Sequence, residues 1–185
     1  MVTLRYYYKK YEIKELNDAI RKINELLLLD PKNREEAMQI EAEAAKSYWK
    51  SVTALIPKEL NFTTRKKRGA EDPFNVALNI GYGILRNSVW KAIIIVGLNP
   101  YIGYLHKFRS GRPSLVFDLM EEFRSPFVDR PLISEARENP EKIKDVKSIY
   151  SIIFSSIKEE EIFTQARKFV NAITEGTEYK PFRAK

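Results

Sequence analysis

No cysteine occurs in the chain, so disulfides and thiolate metal sites are excluded and a reducing compartment fits. Histidine occurs once, at His106, which is too little imidazole for a multi-metal hydrolase of small substrates. Long apolar runs are missing. The longest covers residues 92–98, far too short to span a bilayer. The N-terminus carries no signal-peptide pattern, and a cytoplasmic protein is the simplest reading. Acidic residues are outnumbered, 25 Asp plus Glu against 32 Lys plus Arg, for a net charge of +7. That excess points first to nucleic acid and second to an anionic surface. Its plain alternative is that it aids solubility.

What is present describes a globular chain. Apolar residues make up 44% of 185, enough to bury a real core in one domain covering 1–185. Residues 4–29 read as one helix, with Leu16, Ile20, Ile23, Leu26 and Leu27 at helical spacing. Asp30-Pro31 breaks it, and Asn33 with Glu36 has capping-box spacing for a second helix running to about Leu55. The inner stripe of that helix is Ala37, Ile40, Ala44, Tyr48, Val52 and Leu55. Glu41 sits beside the stripe, where a partly desolvated carboxylate calls for a cationic neighbour.

Residues 61–72 show no periodicity and read as a mobile basic loop. Asp72-Pro73 has the form of a cap and first-turn proline for a central helix, 73–97, apolar on most sides. Gly81 and Gly83 cost that helix propensity and imply close approach by another backbone or a ligand. Gly97 ends it. Asn99-Pro100 caps a short turn leading to His106, and Ser114 is the candidate cap for a helix over 115–124. Pro126 and Pro131 mark an irregular stretch, and two amphipathic helices close the chain. With no hairpin signal, the expected class is all-α, a compact multi-helix domain.

On that helix Asp118, Glu121 and Glu122 share one face at i, i+3 and i+4. The plain reading is a solvated acidic face. The chemical one is a divalent cation among the acids, with His106 contributing an imidazole suited to manganese or magnesium. A basic turn, Phe108-Arg109-Ser110-Gly111-Arg112-Pro113, lies between them.

Four ordered segments carry a resemblance across about residues 34–160. They are Ile40-Glu41-Ala42-Glu43-Ala44-Ala45 with Tyr48-Trp49, Asp72-Pro73-Phe74-Asn75 through Leu78-Asn79-Ile80-Gly81-Tyr82, Gly97-Leu98-Asn99-Pro100 through His106, and Asp118-Leu119-Met120-Glu121-Glu122-Phe123-Arg124. The chain resembles the CRISPR-associated endonuclease and integrase that inserts new spacers into the CRISPR array. The resemblance implies a helical catalytic domain with one metal, Mn2+ or Mg2+, held by Glu41, His106 and Glu121. Asp118, one turn before Glu121, is implied as an auxiliary catalytic acid. Ala42 stands where the family has glycine. The family's N-terminal β-rich domain has no counterpart, so the chain reads as an isolated catalytic domain, a truncation of a longer two-domain protein.

The implied activity is cleavage or strand transfer on double-stranded DNA, branched or with free 3′ ends. Arg109, Arg112 and Arg124 are candidate phosphate clamps. Arg65, Lys66, Lys67 and Arg68 either track the DNA backbone or form a solvated loop. Asn75, Asn79 and Tyr82 either reach DNA or pack and cap. The full-length family implies a homodimer and a small CRISPR-associated adaptation partner. The alternatives are a mobile-element integrase of the same family, and a non-catalytic nucleic-acid-binding domain whose acids pair with Arg109 and Arg124.

Overall fold

The computed structural model describes residues 2–107 and 109–183; Phe108 of the basic turn lies outside them. Among the described residues there are eight α-helices and no strand, as the periodicity predicts. They are α1 (Val2–Tyr11), α2 (Lys14–Leu27), α3 (Arg34–Val52), α4 (Pro73–Ile95), α5 (Ser114–Arg124), α6 (Arg130–Glu138), α7 (Val146–Ser156) and α8 (Glu159–Glu175). No helix among the described residues is long and apolar enough to cross a membrane. The chain forms two compact units, Met1–Ala77 with Leu132–Val146, and Leu78–Pro131 with Lys147–Lys185.

In the first unit, α1 packs on α2 and α2 on α3. The single helix expected over 4–29 is two helices. The chain turns at Glu12, whose φ of 53° lies in the left-handed region, costing roughly 1–2 kcal/mol for a side-chain-bearing residue. The turn lets α1 fold back, so that Leu4 and Tyr7 join Leu16 and Ile23 in the core. Burying one such side chain contributes about 1.5–3 kcal/mol, enough to offset the strained turn. Leu27, placed in the apolar stripe by its spacing, is exposed together with Leu28 and Leu29.

The start of α3 follows the sequence. Asn33 Oδ1 accepts the Glu36 N–H at 2.9 Å, and the Glu36 carboxylate accepts the Lys32 N–H at 2.8 Å. Of the stripe along α3, Val52 is buried, as is Leu55 just beyond its end. Ala37, Ile40, Ala44 and Tyr48 are only half-buried, and Glu41 is exposed rather than partly desolvated.

In the second unit, α4 carries buried Leu78, Leu85, Val89, Ala92 and Ile93. A Cβ on Gly81 would lie 2.6 Å from Val128 Cγ1 and 2.9 Å from Ile153 Cδ1, so the expected close approach is made by side chains. Nothing comes within 4 Å at Gly83. The helix ends at Gly97, whose φ of 80° allows the Leu98 N–H to reach the Ile93 carbonyl at 3.1 Å. The proline-marked stretch is helical after all: residues Ser125–Asp129 form a π-helical segment between α5 and α6.

Candidate active site around His106

The segment after α4 is fixed at several points. Asn99 Oδ1 accepts the Tyr101 N–H at 3.0 Å, and the Tyr101 ring meets Trp90 of α4 edge-on at 5.7 Å. The Pro100 carbonyl accepts the Leu115 N–H at 3.0 Å. Ser114 does not cap α5 as expected. It is the first residue of that helix, and its hydroxyl donates to the Lys107 carbonyl at 3.1 Å.

Between these anchors the backbone wraps around one carboxylate. Asp118 Oδ2 accepts the N–H of Tyr104 at 2.6 Å and of Leu105 at 3.0 Å, while Oδ1 accepts the N–H of His106 at 3.0 Å. The same Oδ1 lies 2.5 Å from His106 Nδ1. Gly103 makes this wrap possible, because a Cβ there would lie 2.6 Å from Asp118 Oδ2 and 2.7 Å from Ser114 Cβ. The His106 and Asp118 side chains are only 15% and 12% exposed. A carboxylate at Nδ1 assigns the proton to that nitrogen and leaves the Nε2 lone pair for a ligand, the arrangement by which carboxylates orient metal-binding histidines. Asp118 is therefore a positioning residue, since its oxygens are occupied by the loop and the ring.

Glu121 turns elsewhere. Its carboxylate pairs with Arg124 at 2.8 Å, and the Arg124 guanidinium lies 5.1 Å over the Tyr82 ring. The Tyr82 hydroxyl donates to Asp129 at 2.5 Å, and Asp129 is 3% exposed. Tyr82, a candidate DNA contact, is thus a strut beneath Arg124. Arg124 itself is engaged by a carboxylate and a ring, which departs from the expected phosphate clamp.

Glu122, the third acid, faces the C-terminal segment. It accepts the Tyr179 hydroxyl at 2.8 Å and the Phe182 N–H at 2.6 Å. Buried Gln165 donates to the Tyr179 oxygen at 2.8 Å. Burial raises the Glu122 carboxyl above its usual range, against the pull of these hydrogen bonds, and burial also raises the Tyr179 phenol. The three acids of α5 therefore do not gather around one ion. Among the described residues no group of three or more His, Asp and Glu stands ready to hold a metal. The second unit holds His106 and Glu121, whereas Glu41 is exposed on α3 of the first. The donor chemistry, one imidazole nitrogen with carboxylate oxygens, still fits manganese or magnesium.

The comparisons with known proteins bear on the whole chain. The family profile described as "CRISPR associated protein Cas1" matches residues 1–166. This chain belongs to the Cas1 family. It is 59% identical over its full length to CRISPR-associated endonuclease Cas1 1 of Saccharolobus solfataricus and covers 52% of that protein. CRISPR-associated protein Cas1 3 of Methanobrevibacter ruminantium is 42% identical over 65% of the chain, which spans 37% of it. The chain thus spans about half the length, or less, of these curated relatives. Two solved structures share the fold. A casposase bound to integration product superposes with a TM-score of 0.77 at 23% identity, over 99% of this chain and 61% of that one. A Cas1 protein from Thermotoga maritima gives 0.73 at 20% identity, over 96% and 65%.

The remaining candidate DNA contacts of this Cas1-family chain divide by burial. Asn75 is fully buried. Its Oδ1 accepts from Arg65 at 2.9 Å and from the Lys66 N–H at 2.8 Å, and its Nδ2 donates to the Thr64 carbonyl at 2.8 Å. It organises the basic loop and cannot reach DNA. Asp72 caps α4 by accepting the Asn75 N–H at 2.8 Å, as the sequence predicts. The loop is therefore tied down at its base. Arg65 also lies 6.0 Å over Trp49, while Lys66, Lys67 and Arg68 are exposed. Asn79 is half-buried. Arg109 is exposed beside the turn at Gly111, where the Arg112 N–H donates to the Arg109 carbonyl at 2.9 Å. Arg112 stacks 5.3 Å over Phe117. Sequence reasoning missed Gly103 and Tyr179. A signal existed for Gly103, three residues before the histidine and inside a recognised segment. None existed for Tyr179.

Proposed function

We propose that this chain is the catalytic part of a metal-dependent DNA endonuclease and integrase that cuts and joins phosphodiesters during CRISPR spacer acquisition. The observation that carries the reading is His106, held by Asp118 with Nε2 left for a ligand, in a chain whose family match covers residues 1–166. Glu41, His106 and Glu121 would hold Mn2+ or Mg2+, which when bound polarises phosphoryl oxygens. Asp118 keeps the imidazole in one tautomer, and Gly103 lets the backbone close on it. Lys66, Lys67, Arg68 and Arg109, all exposed, would contact phosphates in this reading. Full-length identity of 59% to a CRISPR endonuclease favours the CRISPR role over the mobile-element one. A homodimer and the small adaptation partner belong to the same reading, and sedimentation with and without that partner tests both.

His106→Ala is expected to abolish manganese-dependent cleavage of branched DNA while leaving the helical circular-dichroism spectrum unchanged. Undiminished cleavage by this variant would overturn the assignment. One observation favours a second reading. The Glu121–Arg124 ion pair is what a non-catalytic nucleic-acid-binding domain requires. That reading predicts DNA binding with no manganese-dependent rise in melting temperature and no cleavage.

A further inference from the structure

Gly176, with a φ of 65°, ends α8 and sends residues 177–183 across α8 and α5 of the second unit. These residues form no helix or strand. A segment of that kind frays unless side chains tie it down. Here they do. Gln165 of α8 is 2% exposed, and its amide nitrogen donates to the Tyr179 oxygen and to the Lys180 carbonyl, each at 2.8 Å. Glu122 of α5 accepts the Tyr179 hydroxyl and the Phe182 N–H. The Phe182 ring then lies 5.0 Å from Phe123 and 5.8 Å from Phe127. The segment is a strap fastened to both helices.

Strap and histidine loop meet on one ring. Phe169 of α8 meets the Tyr179 ring edge-on at 5.0 Å, with 84° between the planes. It meets the Tyr104 ring in the same way, at 5.5 Å and 87°. Tyr104 is 65% exposed, so burial alone does little to fix it. Yet its N–H makes the shortest of the three backbone hydrogen bonds to Asp118, 2.6 Å against 3.0 Å for Leu105 and His106. Residues 102–107 have no helix or strand of their own, so side-chain contacts must keep the loop in place. Asp118 holds its backbone, and Phe169 holds the Tyr104 ring.

An edge-to-face pair fixes direction as well as distance, because the positive ring edge seeks the negative face. A half-buried phenylalanine on a helix has more than one staggered rotamer open to it. Once turned, Phe169 would no longer meet Tyr104 edge-on. The Tyr179 ring removes that freedom, and the hydrogen bonds of the strap hold Tyr179 itself. We propose that Tyr179 and Phe169 are positioning residues for His106: the strap pins the Phe169 ring, which steadies Tyr104 and keeps the loop closed on Asp118. The inference rests on the catalytic reading of His106 above and adds to it a support that comes from beyond α8.

The test uses the 185-residue chain without DNA or metal. Backbone 15N order parameters are measured at Tyr104, Leu105 and His106, with Leu85 and Val89 of α4 as the rigid reference. In the wild type all five should lie near about 0.85. Tyr179→Ala and Phe169→Ala should each drop the three loop values below about 0.6 and leave α4 near about 0.85. Tyr179→Phe keeps a ring on Phe169, and its strap stays tied through Lys180 and Phe182, so the loop should remain rigid. The imidazole gives a second readout. In both alanine variants its long-range 15N–1H pattern should move from the Nδ1–H form toward an average of the two tautomers. In manganese the same variants should lower kcat for cleavage of branched DNA about ten-fold, with KM changed by less than about two-fold. A loop that stays rigid in both alanine variants overturns the inference. So does an equal drop in α4, which would make the strap a general brace, and so does a loop that loosens as much in Tyr179→Phe. A wild-type chain that cuts no DNA in manganese defeats the catalytic reading, while the order parameters still decide whether the strap holds the loop.

Discussion

Replacing Asp118 by Asn is the sharpest probe of how the site is built. The carboxylate accepts four hydrogen bonds, three from backbone N–H groups and one from His106 Nδ1. A carboxamide has one accepting oxygen and one donating nitrogen. If its oxygen takes the Oδ2 position, Tyr104 and Leu105 keep an acceptor. The NH2 group then faces the His106 N–H and Nδ1–H, donor against donor. The imidazole relieves half of the conflict by moving its proton to Nε2 and accepting at Nδ1. The His106 N–H has no such escape.

The magnitude follows from these contacts. Two hydrogen bonds change from a charged to a neutral acceptor, a loss of about 1 kcal/mol each, and one largely buried N–H is left unpaired at about 1–3 kcal/mol. The sum is about 3–5 kcal/mol, or roughly 6–20 °C in melting temperature for a domain of this size. The larger consequence is chemical, because the Nε2 lone pair is lost as a ligand. With a single histidine in the chain, long-range 15N–1H correlation spectra show one imidazole, and the tautomer is read without assignment work. The wild type should show the proton on Nδ1 and Asp118→Asn the proton on Nε2. A variant that keeps the Nδ1–H tautomer, or melts within about 1 °C of wild type, would refute the argument that Asp118 holds the ring.

Gly81→Ala should destabilise the second unit by about 1–3 kcal/mol, because its Cβ would overlap Val128 and Ile153. Gly83→Ala, two residues on with open space around it, should stabilise by about 0.5–1 kcal/mol; urea denaturation of the pair separates packing from propensity. Asn75→Ala removes the amide that ties residues 64–66 to the start of α4. It should make the Arg65–Arg68 stretch cleave markedly faster in limited trypsin digestion, where an unchanged rate would show that the loop is held by other contacts. Binding of random duplex DNA should weaken steeply with salt, with a log–log slope of about −0.9 per phosphate contacted. A flat response would remove the exposed cations of that loop from the binding surface.

Much of the fold was legible because helices bury one face at a fixed period. Helices α3, α4, α5, α7 and α8 follow their apolar spacing, whereas α6 lies in the stretch that Pro126 and Pro131 mark as irregular, and Asn33, Asp72 and Gly97 act at the boundaries their chemistry suggests. The break at Glu12 was not legible, because Glu is a poor candidate for a positive φ and only the burial of Leu4 and Tyr7 makes the turn worthwhile. Exposure of Leu27, Leu28 and Leu29 was equally hidden, since periodicity gives a stripe without saying what meets it. At the site, the type and spacing of His106, Asp118 and Glu121 were readable. Their partners were not: Asp118 is met by backbone N–H groups, which every residue has, and Glu122 by a tyrosine 57 positions away.

The distribution of the three acids on α5 resolves a difficulty that spacing alone poses. Carboxylates at i, i+3 and i+4 repel unless each is neutralised or solvated. Here each has a different answer: a loop of N–H groups for Asp118, a guanidinium for Glu121, and a tyrosine with a backbone amide for Glu122. The answers differ in how readily they exchange. Leaving Asp118 means dismantling four hydrogen bonds, and leaving Glu122 means lifting Phe182 off Phe123 and Phe127. The Glu121–Arg124 ion pair is partly exposed, a contact of about 1 kcal/mol or less. Opening that pair leaves the loop around Asp118 and the C-terminal segment on Glu122 in place, and the preference for Glu121 as the proposed ligand comes from the resemblance of Asp118-Leu119-Met120-Glu121 to the family's acidic segment.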